Sequence, residues 1–193
     1  MKNYIYLLSI ILFVSCFSNQ KRKTLDSNQN IVDNQMKIIV GKNMYYNGTQ
    51  LISANNNLPL LINNLDSSKY VLYSNIDFCP TLIKSFLSKN TNNAIFSIAN
   101  VGEEWQVTDV IINSNLPTRQ LKYLALSDTL LLLSYYKGGV GKSLCILLFK
   151  FNKVSITDFW YGVTMRDFKC IEELIIYLKD QNGDFLTFSS LSL

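Results

Sequence analysis

Histidine is absent from this chain of 193 residues. Imidazole is the side chain whose ordinary pKa lies nearest neutrality, and it is the commonest zinc ligand. Its absence excludes Ser-His-Asp and Cys-His catalysis within the chain and leaves any metal site to cysteine and carboxylate alone. We expect neither a metal nor a cofactor. Cysteine is scarce, at 4 residues, and no Cys-x-x-Cys spacing occurs, so a redox enzyme is unsupported. Glu103 and Glu104 are adjacent; on a strand they point to opposite faces and cannot act as a catalytic pair. No internal repeat is visible.

A charge surplus is also missing from most of the chain. The formal net charge is +4, but Lys2, Lys21, Arg22 and Lys23 lie near the start, and setting them aside leaves 14 basic residues against 14 acidic ones. A neutral domain offers no electrostatic reason to bind nucleic acid, where phosphate neutralisation dominates affinity.

The beginning is more informative. Met1-Lys2-Asn3 precedes an eleven-residue apolar run from Tyr4 to Val14, and Ser15 and Cys16 close it. A positive start, an apolar middle and a small residue before the end make the three-part layout of a secretory signal peptide. The run is well short of the ~20 residues that a membrane-spanning helix needs.

Phe13-Val14-Ser15-Cys16 resembles the lipobox of bacterial lipoproteins, with Phe13 where that family prefers leucine. The resemblance covers residues 1–16 alone. It implies cleavage between Ser15 and Cys16, a diacylglycerol and further acyl chains such as palmitate on Cys16, and a protein held at a membrane of the bacterial cell envelope, on its periplasmic or surface side. Several acyl chains at ~0.8 kcal/mol per buried methylene hold a protein far more firmly than one. The basic trio Lys21–Lys23 would then sit beside the headgroups, adding ~1 kcal/mol each on anionic lipid if it is more than a solvated run.

The organisation read from the chain is therefore a signal peptide over 1–15, a lipidated cysteine and polar tether over 16–35, and one domain over 36–193. Extended, the tether reaches up to ~60 Å at ~3.3 Å per residue. Within the domain, 37–40, 44–46 and 49–52 read as short strands, with Asn47-Gly48 suited to a hairpin turn. Tyr70 to Tyr73 reads as a strand. Cys79-Pro80 opens a helix with Leu82, Ile83, Phe86 and Leu87 on one face. Ala94–Val101 and Trp105–Ile112 read as a strand pair joined near Gly102, and Pro117 begins a short irregular or helical piece.

The last third is clearest. Thr129–Tyr136 and Leu144–Phe151 read as buried strands, and Asn152-Lys153 turns into a strand over Val154–Trp160, giving an antiparallel meander. Asp167 is placed to cap a helix running to Lys179, with Phe168, Ile171, Leu174, Ile175 and Leu178 as its apolar stripe. Phe185–Phe188 is a candidate closing strand. The fold class expected is α+β: a largely antiparallel sheet with one or two helices packed on one face.

Lys137-Gly138-Gly139-Val140-Gly141-Lys142-Ser143 resembles the deviant Walker A loop of P-loop ATPases. The resemblance implies Lys142 on the β- and γ-phosphates, Ser143 on magnesium, and backbone amides around Gly138, Gly139 and Gly141 cradling the anion, with Lys137 as the signature lysine. Three observations oppose it. Leu144–Phe151 is apolar on all sides and reads as a strand, where a phosphate loop must open a helix. Too little chain follows for a doubly wound sheet. The leader directs the domain to a compartment essentially without ATP. The competing expectation is a glycine-rich hairpin loop.

If Cys16 is lipidated, Cys79, Cys145 and Cys170 remain and allow at most one intramolecular disulfide. Cys79, at a helix start, is the candidate reactive thiol, and packing is the favoured role for all three. Tyr135, Tyr136, Trp160 and Tyr161 gather around the meander as cross-strand core pairs or a binding patch. The function expected is a non-enzymatic, membrane-anchored envelope lipoprotein with a protein-binding domain; the alternative is a P-loop nucleotide-binding protein or another enzyme. Some such lipoproteins are immunity proteins that neutralise toxins, and no residue here selects that role.

Overall fold

Leu58, Leu61, Ile62 and Leu65 recur at helical spacing, with Pro59 in the first turn, and form the buried face of α1 (Leu58–Ser67). The computed structural model describes residues 57–91, 96–110 and 113–180, all within the compact unit Asn43–Leu193. The leader, Cys16, the tether, the strands expected over 37–40, 44–46 and 49–52 with their Asn47-Gly48 turn, and the closing strand over 185–188 lie outside the described residues.

After α1 come β1 (Val71–Tyr73), a 3-10 turn (Ile76–Phe78) and α2 (Thr81–Asn90). Four strands follow, β2 (Arg119–Leu126), β3 (Leu130–Lys137), β4 (Ser143–Phe151) and β5 (Ile156–Thr164), and then α3 (Ile171–Asp180). The five strands form one sheet in the order β1-β2-β3-β4-β5, every neighbouring pair antiparallel. The α+β expectation holds, and the meander stands where the sequence places it.

The reading of helices on one face is corrected: both faces of the sheet are covered. Leu131, Leu133 and Tyr135 of β3 join Leu82, Ile83, Phe86 and Leu87 of α2 in one core. Leu130, Leu132 and Tyr136 join α1 and α3 in the other. Alternate residues of a strand point to opposite faces, so a strand covered on both sides needs apolar residues at nearly every position. That is the physical reason for the run of leucines in β3 and for the apolar stretch of β4. Between α2 and α3 the sheet is thus a buried middle layer.

The helix ends are closed by identifiable groups. The Asn90 side-chain amide donates to the Phe86 carbonyl at 2.7 Å, at the C-terminus of α2. Glu172 and Glu173 in the first turn of α3 complement the helix dipole, and Glu173 also accepts from the Lys169 N–H at 2.9 Å. Lys179, in the last turn, pairs with Asp66 of α1 and ties the two helices together.

Three further expectations are corrected. Pro117 leads directly into β2, a full strand, not an irregular or helical piece. The described parts of 94–101 and 105–112 do not pair with each other: Ala99 bridges to Gln120 and Thr108 to Gly139. The segment is a strap, held to the sheet by the Ala99 N–H on the Arg119 carbonyl at 3.0 Å and the Gln106 N–H on the Pro117 carbonyl at 2.8 Å. Asp167 stands four residues ahead of α3 and does not cap it; its carboxylate is engaged elsewhere, as described below.

Candidate functional site

The Gly-rich segment joins two antiparallel strands. Lys137 ends β3, Ser143 begins β4, and the two face each other in register. The chain after Ser143 is strand, so no helix N-terminus stands there to receive phosphate. Two of the loop amides are also committed. The Gly138 N–H donates to the Thr118 carbonyl at 3.2 Å and the Gly139 N–H to the Val107 carbonyl at 3.1 Å. The strap sets the need for glycine here: a Cβ on Gly138 would lie 2.4 Å from the Gln106 carbonyl oxygen and 2.5 Å from that of Val107. Gly139 has φ of 151°, a conformation that side chains other than glycine's disfavour.

Lys142 and Lys122 meet at Asp167, on the face shared with α1 and α3. Lys122 Nζ lies 3.2 Å from Asp167 Oδ1, and Lys142 Nζ lies 3.7 Å from Oδ2. Tyr136 donates its hydroxyl to Oδ1 of the same carboxylate. Lys142 also stands over the Tyr136 ring at 4.2 Å, and Trp105 of the strap stacks on that ring with centroids 6.3 Å apart. Tyr123 donates to the Phe168 carbonyl at 2.8 Å, fixing the chain just after Asp167. The group ties together five parts of the fold: β2, β3, the β3–β4 loop, the strap and the segment between β5 and α3.

Its electrostatics follow from that wiring. Partial burial pushes Asp167 up, but hydrogen bonds from Tyr136 and Lys122, with the Lys122 charge, outweigh it and hold the carboxyl below its usual range. Burial, followed by the bond donated to Asp167, pushes Tyr136 well up. Burial also raises Tyr123, to about 12, against the opposing charge of Lys122. Each shift moves its group away from neutral pH, so the cluster keeps one charge pattern through the physiological range.

A second polar group occupies the same end of the sheet on the α2 face. Arg119, only 6% exposed, stands directly opposite Lys137, and its guanidinium lies 5.0 Å over the Phe96 ring. Tyr135 is fully buried, meets Phe96 edge-on at 5.6 Å and faces Cys145 across the strands. Arg119 Nε is buried without a hydrogen-bond partner, and the Tyr135 hydroxyl is buried with no partner beyond the weak one offered by the Cys145 thiol. Cys145 Sγ lies 3.9 Å from the Tyr161 hydroxyl, within a long sulfur hydrogen bond. Burial pushes Tyr135 and Cys145 up, with the Arg119 charge pulling both partly back.

Cys79, Cys145 and Cys170 are not joined to one another by a disulfide. Cys79 is 3% exposed, and burial pushes its thiol up to about 12 despite the helix start beside it, which favours the packing role. Glu103 and Glu104 do not lie on a strand. Glu103 accepts from the Asn100 backbone at 2.8 Å and side chain at 2.9 Å, and those bonds hold its carboxyl low. Among the described residues no group of three or more Cys, Asp and Glu could hold a metal ion. The four aromatics of the meander divide by face, Tyr135 and Tyr161 toward α2, Tyr136 and Trp160 toward α1 and α3.

Of the residues singled out from sequence, Lys142, Tyr135 and Tyr136 belong to these two groups, and Lys137 stands beside Arg119. Sequence reasoning missed Arg119, Lys122 and Trp105 as site residues and gave Asp167 a capping role. Without β2 in register, nothing in the sequence brings Arg119 beside Tyr135 or Lys122 beside Asp167. No family model, no curated protein and no solved structure matches this chain.

Proposed function

We propose that this chain is a bacterial envelope lipoprotein, anchored through acyl chains on Cys16, whose α+β domain binds a partner and does no chemistry. The single observation that carries the anchoring is the apolar run from Tyr4 to Val14 that stops at Ser15-Cys16. It has the anatomy of an export signal and is too short to remain as a spanning helix. Among the described residues no helix is long and apolar enough to cross a membrane.

The binding role is supported by the state of the polar groups. Asp167 is engaged by Tyr136, Lys122 and Lys142, Tyr136 and Cys79 are pushed away from neutrality, and Glu103 is occupied by Asn100. A general acid or base works best with a pKa near the operating pH, and the shifts found here run the other way. The hairpin end also presents apolar side chains to solvent, with Val140 fully exposed and Met165 71% exposed beside the two lysines.

Feeding a fatty-acid analogue to cells producing the chain tests the anchoring. The wild type should incorporate label and sediment with membranes, and Cys16→Ala should do neither. An unlabelled wild type would refute the proposal.

A further inference from the structure

We propose that Arg119 and Tyr135 form a binding site for a small organic carboxylate, enclosed between the β2–β3–β4 sheet and the strap; this goes beyond the anchoring and does not depend on it. A guanidinium keeps its charge at all accessible pH and presents five N–H donors. Arg119 is 94% buried by its 6% exposure, its Nε has no partner, and it forms no ion pair with a carboxylate among the described residues. Its nearest cross-strand neighbour, Lys137, has the same sign of charge, which disfavours the pair. The Phe96 ring under the guanidinium accepts the cation through its face but leaves Nε without an acceptor.

Tyr135 adds an independent observation. Its hydroxyl is fully buried with no partner beyond the weak one offered by the Cys145 thiol, and its ring meets the same Phe96 ring. The groups assembled here, Arg119 and Tyr135, are donors short of an acceptor. A planar carboxylate fits that pattern: two oxygens match the fork of the guanidinium, and a phenol supplies a further donor. The apolar walls, Phe96 and Leu121, suit a hydrocarbon body behind the carboxylate. The strap contributes Phe96 and crosses the sheet beside the pair, held there through Ala99 and Gln106.

The test uses the full-length chain, with acetate, benzoate and inorganic phosphate as probes, and thermal melting in buffers otherwise free of carboxylate. Benzoate should raise the wild-type melting temperature progressively, as a ligand of the native state must. Arg119→Met should melt at or above the wild type without ligand, because it removes an unpaired buried cation, and should not respond to benzoate. Tyr135→Phe, which keeps the ring, should weaken benzoate binding by roughly tenfold or more; it also tests the site if Arg119→Met fails to fold. Four results overturn the proposal: no response of the wild type to either acid, an equal response from Arg119→Met, tighter binding of phosphate than of benzoate, or a loss of stability in Arg119→Met without ligand. The last would mean that the guanidinium is already partnered within the chain.

Discussion

Replacing Lys142 by alanine separates the two readings of the Gly-rich segment. In the structure Lys142 makes two contacts, the ion pair with Asp167 at 3.7 Å and the stacking over Tyr136 at 4.2 Å. The two side chains of the ion pair are 46% and 54% exposed, so water and salt screen the attraction. Unit charges about 4 Å apart attract by about 1 kcal/mol in bulk water, and exposed pairs measure ~0–1 kcal/mol. An exposed cation over an aromatic ring contributes ~0.5–1 kcal/mol. One ammonium serves both contacts, so we expect Lys142→Ala to lose about 1 kcal/mol. With a urea slope of ~1–3 kcal/mol/M, the unfolding midpoint should fall by about 0.3–1 M. The companion Asp167→Asn should cost less in the Lys142→Ala background than in the wild type, since the pair is already broken. Mg·ATP should leave the melting temperature of either chain unmoved. A variant as stable as the wild type, together with ATP stabilisation that Lys142→Ala abolishes, would show that the loop holds phosphate and that the hairpin argument is mistaken.

Three other outcomes follow from the packing and the charges. Gly162→Ala should destabilise by ~1–3 kcal/mol in urea unfolding, because a Cβ there would lie 2.3 Å from the buried Trp160 ring, which has no room to swing aside. Thiol labelling of the native chain should leave Cys79 and Cys145 unreacted and modify Cys170 first; rapid native labelling of Cys79 would contradict its burial and raised pKa. Asp167 and Glu103 have lowered native pKa values, so their stabilisation is complete above the unfolded carboxylate pKa of ~4 and is lost as pH falls through the native values. Stability measured against pH should decline below about pH 4, and Asp167→Asn should flatten part of that decline.

The parts of the fold visible in the sequence are those whose burial leaves a local pattern. β3 and β4 announce themselves because both faces are covered, and α2 and the stripe of α3 because one face is. The Asn152 turn was equally local: its side chain accepts from the Val154 and Ser155 amides, both at 2.9 Å, and closes the β4–β5 connection. α1 has the same helical spacing as α2, yet asparagines flank and interrupt it at Asn55–Asn57 and Asn63–Asn64, and asparagine favours turns over helix interiors.

β2 was hidden for a different reason. A bulge between Leu121 and Tyr123 breaks its alternation. A bulge inserts one residue into the pairing, so a period-2 pattern changes phase partway along the strand. Losing β2 meant losing the site, because Arg119 stands just ahead of that bulge and Lys122 within it. The strap misled in the opposite sense: 96–100 and 105–110 carry strand-like residues, but each contributes a single bridge to a different partner. Asp167 looked like a cap because a short acidic side chain ahead of an apolar stripe is what a cap looks like. Only the tertiary approach of Lys122, Lys142 and Tyr136 reassigns it.

The mass of the mature chain recovered from bacterial membranes bears most directly on the account. We predict a product that begins at Cys16, heavier than its polypeptide by a diacylglycerol and further acyl groups. A soluble product that retains Met1 and carries no lipid would contradict it.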